Sequence, residues 1–165
     1  MRTPECERYL RFSKPRSYFV SSSLSLIAAL IFSGPLPAQT PDPSGLWKTV
    51  SDRTGEADGL VRIVAINGEF RGTVVAVFSP PADSPNPVCE LCEGELKDQP
   101  VIGMTILRGL RREGERYTGG EILDPDDGKV YRCTVTVIEG GKKLDVRGYI
   151  GIPLFGRSQV WQRME

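Results

Sequence analysis

The sequence predicts an all-β fold, a single antiparallel up-and-down barrel of about eight strands, and three observations carry that prediction. Runs rich in Val, Ile, Thr and Tyr are separated by short Gly/Pro/Asp clusters roughly every 8 to 12 residues. The clearest example runs from Arg116 to Gly148, where Asp124-Pro125-Asp126-Asp127-Gly128 and Glu139-Gly140-Gly141 divide three such runs into a meander. No stretch keeps a helical apolar period for long. Open sheet edges invite aggregation, so about eight sequential strands favour closure. A two-sheet β-sandwich is the alternative, because strand count alone does not separate them.

Taken in order, Gly45 to Val50 is the first strand and Ser51 to Asp58 a loop. Leu60 to Ile66 and Glu69 to Phe78 are strands joined by Asn67-Gly68, two residues that accept left-handed φ in a tight hairpin. The second of them carries apolar residues on both faces toward its end, which predicts cover on both sides. Ser79 to Pro100 holds five prolines, which forbid a central strand or a helix interior, so it is one long loop. Val101 to Leu110 resumes as a strand, Arg111 to Glu115 turns, and the meander follows. Tyr149 to Gly156 is a further loop and Ser158 to Met164 the last strand.

The 165 residues suit one domain behind a targeting segment. Residues 1–16 are basic, residues 18–32 form an apolar run too short for a comfortable bilayer span, and Gly34, Pro35 and Pro37 precede a small residue, Ala38. That order of features predicts a signal peptide over 1–38, a linker over 39–44 and a β-barrel domain over 45–165. An uncleaved anchor is the alternative. The expected address is periplasmic or secreted, with no stable membrane span after cleavage. Cleavage leaves 16 positive and 19 negative side chains, which argues against a nucleic-acid partner. The absence of His excludes His-dependent triads and His metal sites.

Cys89-Glu90-Leu91-Cys92 admits three readings: a redox pair, half a metal site or a disulfide. The Pro-rich loop offers no helix N-terminus to lower a thiol pKa, and Glu90 and Glu93 work the other way. Zinc would need four ligands, and only Cys133 adds a thiolate. An oxidising compartment favours a disulfide, expected between Cys89 and Cys92. A bridge to Cys133 is the competing pattern: loop entropy favours it, at about 4 against about 2 kcal/mol. Asp124, Asp126 and Asp127 lack the ligand spacing of a calcium loop and read as turn chemistry.

Arg147 and Tyr149 share one face of their strand, and Tyr131 alternates with Cys133 and Val135 on the strand before. If Arg147 faced the interior it would need a carboxylate or an anionic ligand; outward, it would simply be solvated. Tyr131, Arg147, Tyr149 and Tyr117 are the candidate ligand-binding residues. No catalytic residue, metal or cofactor is expected.

Gly45-x-Trp47 on the first strand and Arg163 at the opposite end of the chain resemble the lipocalin-type barrel signature. That resemblance implies barrel closure by the Arg163 guanidinium stacked on the Trp47 indole, a contact worth about 1–2 kcal/mol when desolvated. In chain order, Gly45-x-Trp47, Asn67-Gly68, Cys89-x-x-Cys92, Gln99-Pro100-Val101-Ile102-Gly103, Gly120-x-x-x-Asp124-Pro125-x-x-Gly128-Lys129-x-Tyr131, Val146-Arg147-Gly148-Tyr149 and Trp161-x-Arg163 together resemble the bacterial domain of unknown function 2147 family. The resemblance spans Gly45 to Arg163 and implies an exported lipocalin-like barrel without a settled activity. Tyr117 departs from it, standing where that family often has Trp.

The expected function is non-catalytic binding of a small apolar or amphipathic ligand, or of an envelope partner. The alternative is a structural or protein-interaction module of the cell envelope that uses the Cys89/Cys92 loop. Thiol exchange by that cysteine pair is a third, enzymatic reading.

Overall fold

The structure, a computed structural model, describes residues 41–51, 54–78 and 84–165. The predicted signal peptide lies outside the described residues. Eight strands follow one another: β1 (Gly45–Val50), β2 (Ala57–Ile66), β3 (Glu69–Val77), β4 (Thr105–Glu113), β5 (Arg116–Asp124), β6 (Lys129–Ile138), β7 (Lys143–Tyr149) and β8 (Arg157–Arg163). Each pairs antiparallel with the next, and β8 returns to β1 through Trp47↔Arg163 and Lys48↔Gln162 to close a barrel. The up-and-down barrel is thus formed, and the sandwich alternative falls away.

Turn chemistry sets the register. Asn67 and Gly68 both take positive φ, 52° and 80°, as a two-residue hairpin demands. Asp124 Oδ1 accepts the Asp126 N–H and Asp127 Oδ1 accepts the Lys129 N–H, so these carboxylates shape the β5–β6 turn. Gly109 and Gly119, at φ 73° and 71°, sit opposite each other in β4 and β5, and the β5–β6 pairing shifts register between Tyr117 and Gly120.

The two ends of the barrel differ. Tight hairpins β2–β3, β4–β5 and β6–β7 share one end with the chain entry at Pro41 to Ser44. The longer connections β1–β2, β3–β4, β5–β6 and β7–β8 form the other end, called the rim below.

Four local expectations need correction. Val101 to Met104 belong to the long loop, because Pro87 O accepts the Val101 N–H (2.8 Å) and Asn86 Oδ1 accepts the Ile102 N–H (2.9 Å) before β4 can pair. β4 runs through Arg111 to Glu113 and turns only at Gly114, while β2 starts at Ala57. Of the two valines on the outer face of β3, Val75 is 40% exposed, while the register shift opposite Leu60 and Val61 lets Val77 pack against the core.

Candidate functional site

Closure begins with Trp47, which alternation on β1 turns inward and which is fully buried. Its Nε1–H donates to Pro43 O at 2.8 Å, and the Arg163 guanidinium lies 4.2 Å from its ring centroid. Arg163 also donates to Gly141 O, Ser44 O and Asp42 O at 2.5, 2.5 and 2.8 Å, tying the chain entry, the β6–β7 turn and β8 together. This seals the hairpin end.

Next to the seal the interior is filled. Ile63, Leu107, Leu110, Val135, Leu144 and Trp161 are fully buried there, and Phe70 meets Tyr117 edge-on at 5.0 Å. The glycines on this inner face leave no gaps. A Cβ on Gly120 would stand 2.5 Å from Leu110 Cγ and 3.1 Å from Cys133 Sγ, and one on Gly72 would stand 3.0 Å from Leu107 Cβ. Among the described residues, no buried side-chain nitrogen or oxygen lacks a hydrogen-bond partner.

Toward the rim the inner face turns polar. The Cys133↔Gly148 pair fixes the alternation, placing Tyr131 inward from β6 and Arg157, which pairs with Gly148, inward from β8. Arg157 bridges Asp124 at 3.0 Å and lies 5.6 Å from the Tyr131 ring centroid. The Tyr131 hydroxyl donates to Asp127 Oδ2 at 2.5 Å, and that bond, with burial, pushes its pKa up to about 12. Burial raises the Asp124 carboxyl, with Asp127 and Asp126 adding to it and the Asp126 N–H and Arg157 opposing. Sequence reasoning missed Arg157, although counting back by twos from Trp161 would have turned it inward.

Outside, the long loop folds against the β5–β6 hairpin. Cys89 and Cys92 form a disulfide and are both buried; the Cys89 sulfur lies 3.4 Å from Pro125 O. Gly128, at φ 70°, lets the Leu91 carbonyl approach so closely that a Cβ there would collide with it. The loop covers Leu123 and leaves a groove of about 380 Å³, lined by Leu96, Leu123, Val130 and Ile150 with Glu93 and Lys129 among its polar residues. A second depression, of about 490 Å³, lies over Gly109 and Gly119 among the ion pairs Glu69–Arg111 and Arg108–Glu121. Both concavities are on the outside of the barrel.

The four candidate ligand residues do not meet in one site. Tyr117 is buried at the hairpin end and Tyr131 lines the inner face at the rim. Arg147 and Tyr149 flank inward Gly148 and therefore face outward. Arg147 donates to Pro153 O (2.8 Å), Leu154 O (3.3 Å) and Ser158 Oγ (3.3 Å), fastening the β7–β8 loop. Arg147→Ala will therefore leave barrel stability within about 1 kcal/mol of the parent. It will speed chymotrypsin cleavage beside Leu154 and Phe155 severalfold; an unchanged rate would show that Arg147 does not hold the loop.

Cys133 is a free thiol, fully buried, with its pKa pushed up to about 12 by burial and by the Glu121 charge. It will stay unlabelled by iodoacetamide at mildly alkaline pH until denaturant is added. Stoichiometric labelling of the folded protein would contradict that burial. Among the described residues no group of three Cys, Asp or Glu side chains is placed to hold a metal, and no helix is long and apolar enough to cross a membrane.

Comparison with known proteins gives two matches. The model of a family described as "Uncharacterized protein conserved in bacteria (DUF2147)" matches residues 45–163. A solved structure from Helicobacter pylori, protein HP1028, described as belonging to the lipocalin family, superposes with a TM-score of 0.66 at 20% identity, covering 76% of this chain and 85% of that one. At that identity the likeness concerns the fold. No curated protein matches the chain.

Proposed function

This chain belongs to the DUF2147 family, and on that premise we propose that it is an exported, non-catalytic binding module whose working surface is the rim, not the barrel interior. The observation that carries this reading is the filled interior: the inner glycines are already occupied by Leu107, Leu110 and Cys133, while the apolar groove is outside, beside the disulfide loop. A groove of about 380 Å³ falls in the size range of small-molecule sites, and its apolar floor with Lys129 and Glu93 suits an amphipathic occupant. Export is supported by the basic and apolar order of residues 1–38.

The test is binding of a fluorescent fatty-acid probe to the parent and to Val130→Asp and Ile150→Asp, both exposed enough to spare the fold. The rim reading expects each variant to weaken binding about tenfold or more, at unchanged melting temperature. Undiminished binding in both would refute it.

A second reading rests on Leu91, which is 62% exposed at the tip of the disulfide loop. There the loop contacts an envelope protein, and a photo-crosslinker at position 91 would capture that protein in cells.

A further inference from the structure

The β7–β8 loop is the most apolar exposed segment among the described residues. From Gly148 to Gly156 it carries no charged side chain, and Ile150, Ile152, Leu154 and Phe155 are 71, 54, 75 and 79% exposed. Consecutive apolar side chains at such exposure mark an interaction surface. Pro153 to Phe155 form a single 3-10 turn, and Arg147 fastens the Pro153 and Leu154 carbonyls from below, so the tip is held in shape before anything binds. A fluid apolar phase can bury such a projecting apolar tip without a fitted pocket.

Charge beneath the tip points the same way. Arg132 pairs in register with Tyr149, and Arg147 lies diagonally beside it, so two arginines and a tyrosine share one patch on the outer face. Arg132 is exposed, and among the described residues no carboxylate pairs with either arginine. Glu121, opposite Arg132, is engaged by Arg108 at 3.1 Å, and Asp145 lies two residues further from the tip than Arg147. Apolar side chains at the end, with an aromatic ring and cations one layer back, match the layering of acyl chains, interface and anionic headgroups.

We propose that the Ile150–Phe155 loop inserts into the outer layer of a lipid membrane, with Arg132 and Arg147 meeting anionic phosphate headgroups. This deepens the rim reading and rests on it: the membrane supplies the amphipathic molecules that the groove beside Ile150 would take.

The test uses the full chain as cells process it, with vesicles of phosphatidylglycerol and phosphatidylethanolamine, and with phosphatidylcholine vesicles for comparison. Phe155→Trp reports depth through quenching by brominated acyl chains, against the constant background of buried Trp47 and Trp161. Quenching above the parent's is expected. Leu154→Glu with Phe155→Glu should lower the partition coefficient about tenfold or more, whereas Val64→Glu with Val75→Glu, also exposed, should not. Arg132→Gln should weaken binding to phosphatidylglycerol vesicles but not to phosphatidylcholine.

Quenching of the Phe155→Trp variant no greater than the parent's overturns the proposal, as does partitioning indifferent to the double glutamate variant, and so does protein capture at position 155 without quenching. If insertion fails while the fatty-acid probe still binds the rim groove, only the membrane assignment falls. If the probe fails as well, the rim reading falls with it.

Discussion

Trp47→Ala will lower the melting temperature by roughly 10–20 °C, the consequence of losing about 3–5 kcal/mol. Trp47 is fully buried, so its removal leaves a ring-sized void beside its buried cross-strand partner Val61. It also strands the Pro43 carbonyl, which accepts the indole N–H at 2.8 Å, and takes away the surface under Arg163. β1 pairs with β8 through two residue pairs, and beyond them the seam rests on Trp47, on the Arg163 hydrogen bonds to Ser44 O and Asp42 O, and on the Met164 N–H donating to Leu46 O. Trp47→Phe should recover part of the loss, because it refills volume without restoring the hydrogen bond. Thermal unfolding followed by circular dichroism decides; a loss below about 1 kcal/mol would mean the seam is held elsewhere.

Gly120→Val will destabilise by about 1–3 kcal/mol or more. Gly120 is not among the glycines with positive φ, so the substitution probes space and little else. The first added carbon already meets Leu110 Cγ at 2.5 Å and Leu110 Cδ2 at 2.6 Å. Adding Leu110→Ala should return a measurable part of the loss, since the smaller side chain vacates that volume, and a double-mutant cycle reads the coupling directly. A hollow barrel would accept valine at no cost, so a neutral Gly120→Val would contradict the packed interior.

The strands legible in the sequence are those bounded by residues with an obligatory turn conformation. Asn67-Gly68 and the Asp124–Gly128 cluster marked their hairpins because few other residues tolerate those backbones or supply those local hydrogen bonds. The start of β4 is not legible locally, because Val101-Ile102 has strand composition but bonds to Pro87 and Asn86, partners 14 and 16 residues away. Likewise, the register shifts near Gly109 and Gly119 arise only where β4 meets β3 and β5 meets β6.

The candidate site was harder to read for the same reason. Whether Gly72 and Gly120 leave space inside the barrel is decided by Leu107 and Leu110, which come against them across the sheet. Arg147 and Tyr149 were recognised as sharing a face, but which face depended on Gly148 opposing the buried Cys133. The apolar residues of the β7–β8 loop were visible in sequence; their exposure was not, because it depends on Arg147 holding the loop away from the core.

A crystal structure under xenon pressure, followed by soaking with the fatty-acid probe, tests the central claim most directly. A filled barrel predicts no xenon among Leu107, Leu110, Cys133 and Val135, and probe density beside Leu123, Val130 and Ile150. Xenon or acyl-chain density along the barrel axis would contradict it and return the binding function to the interior.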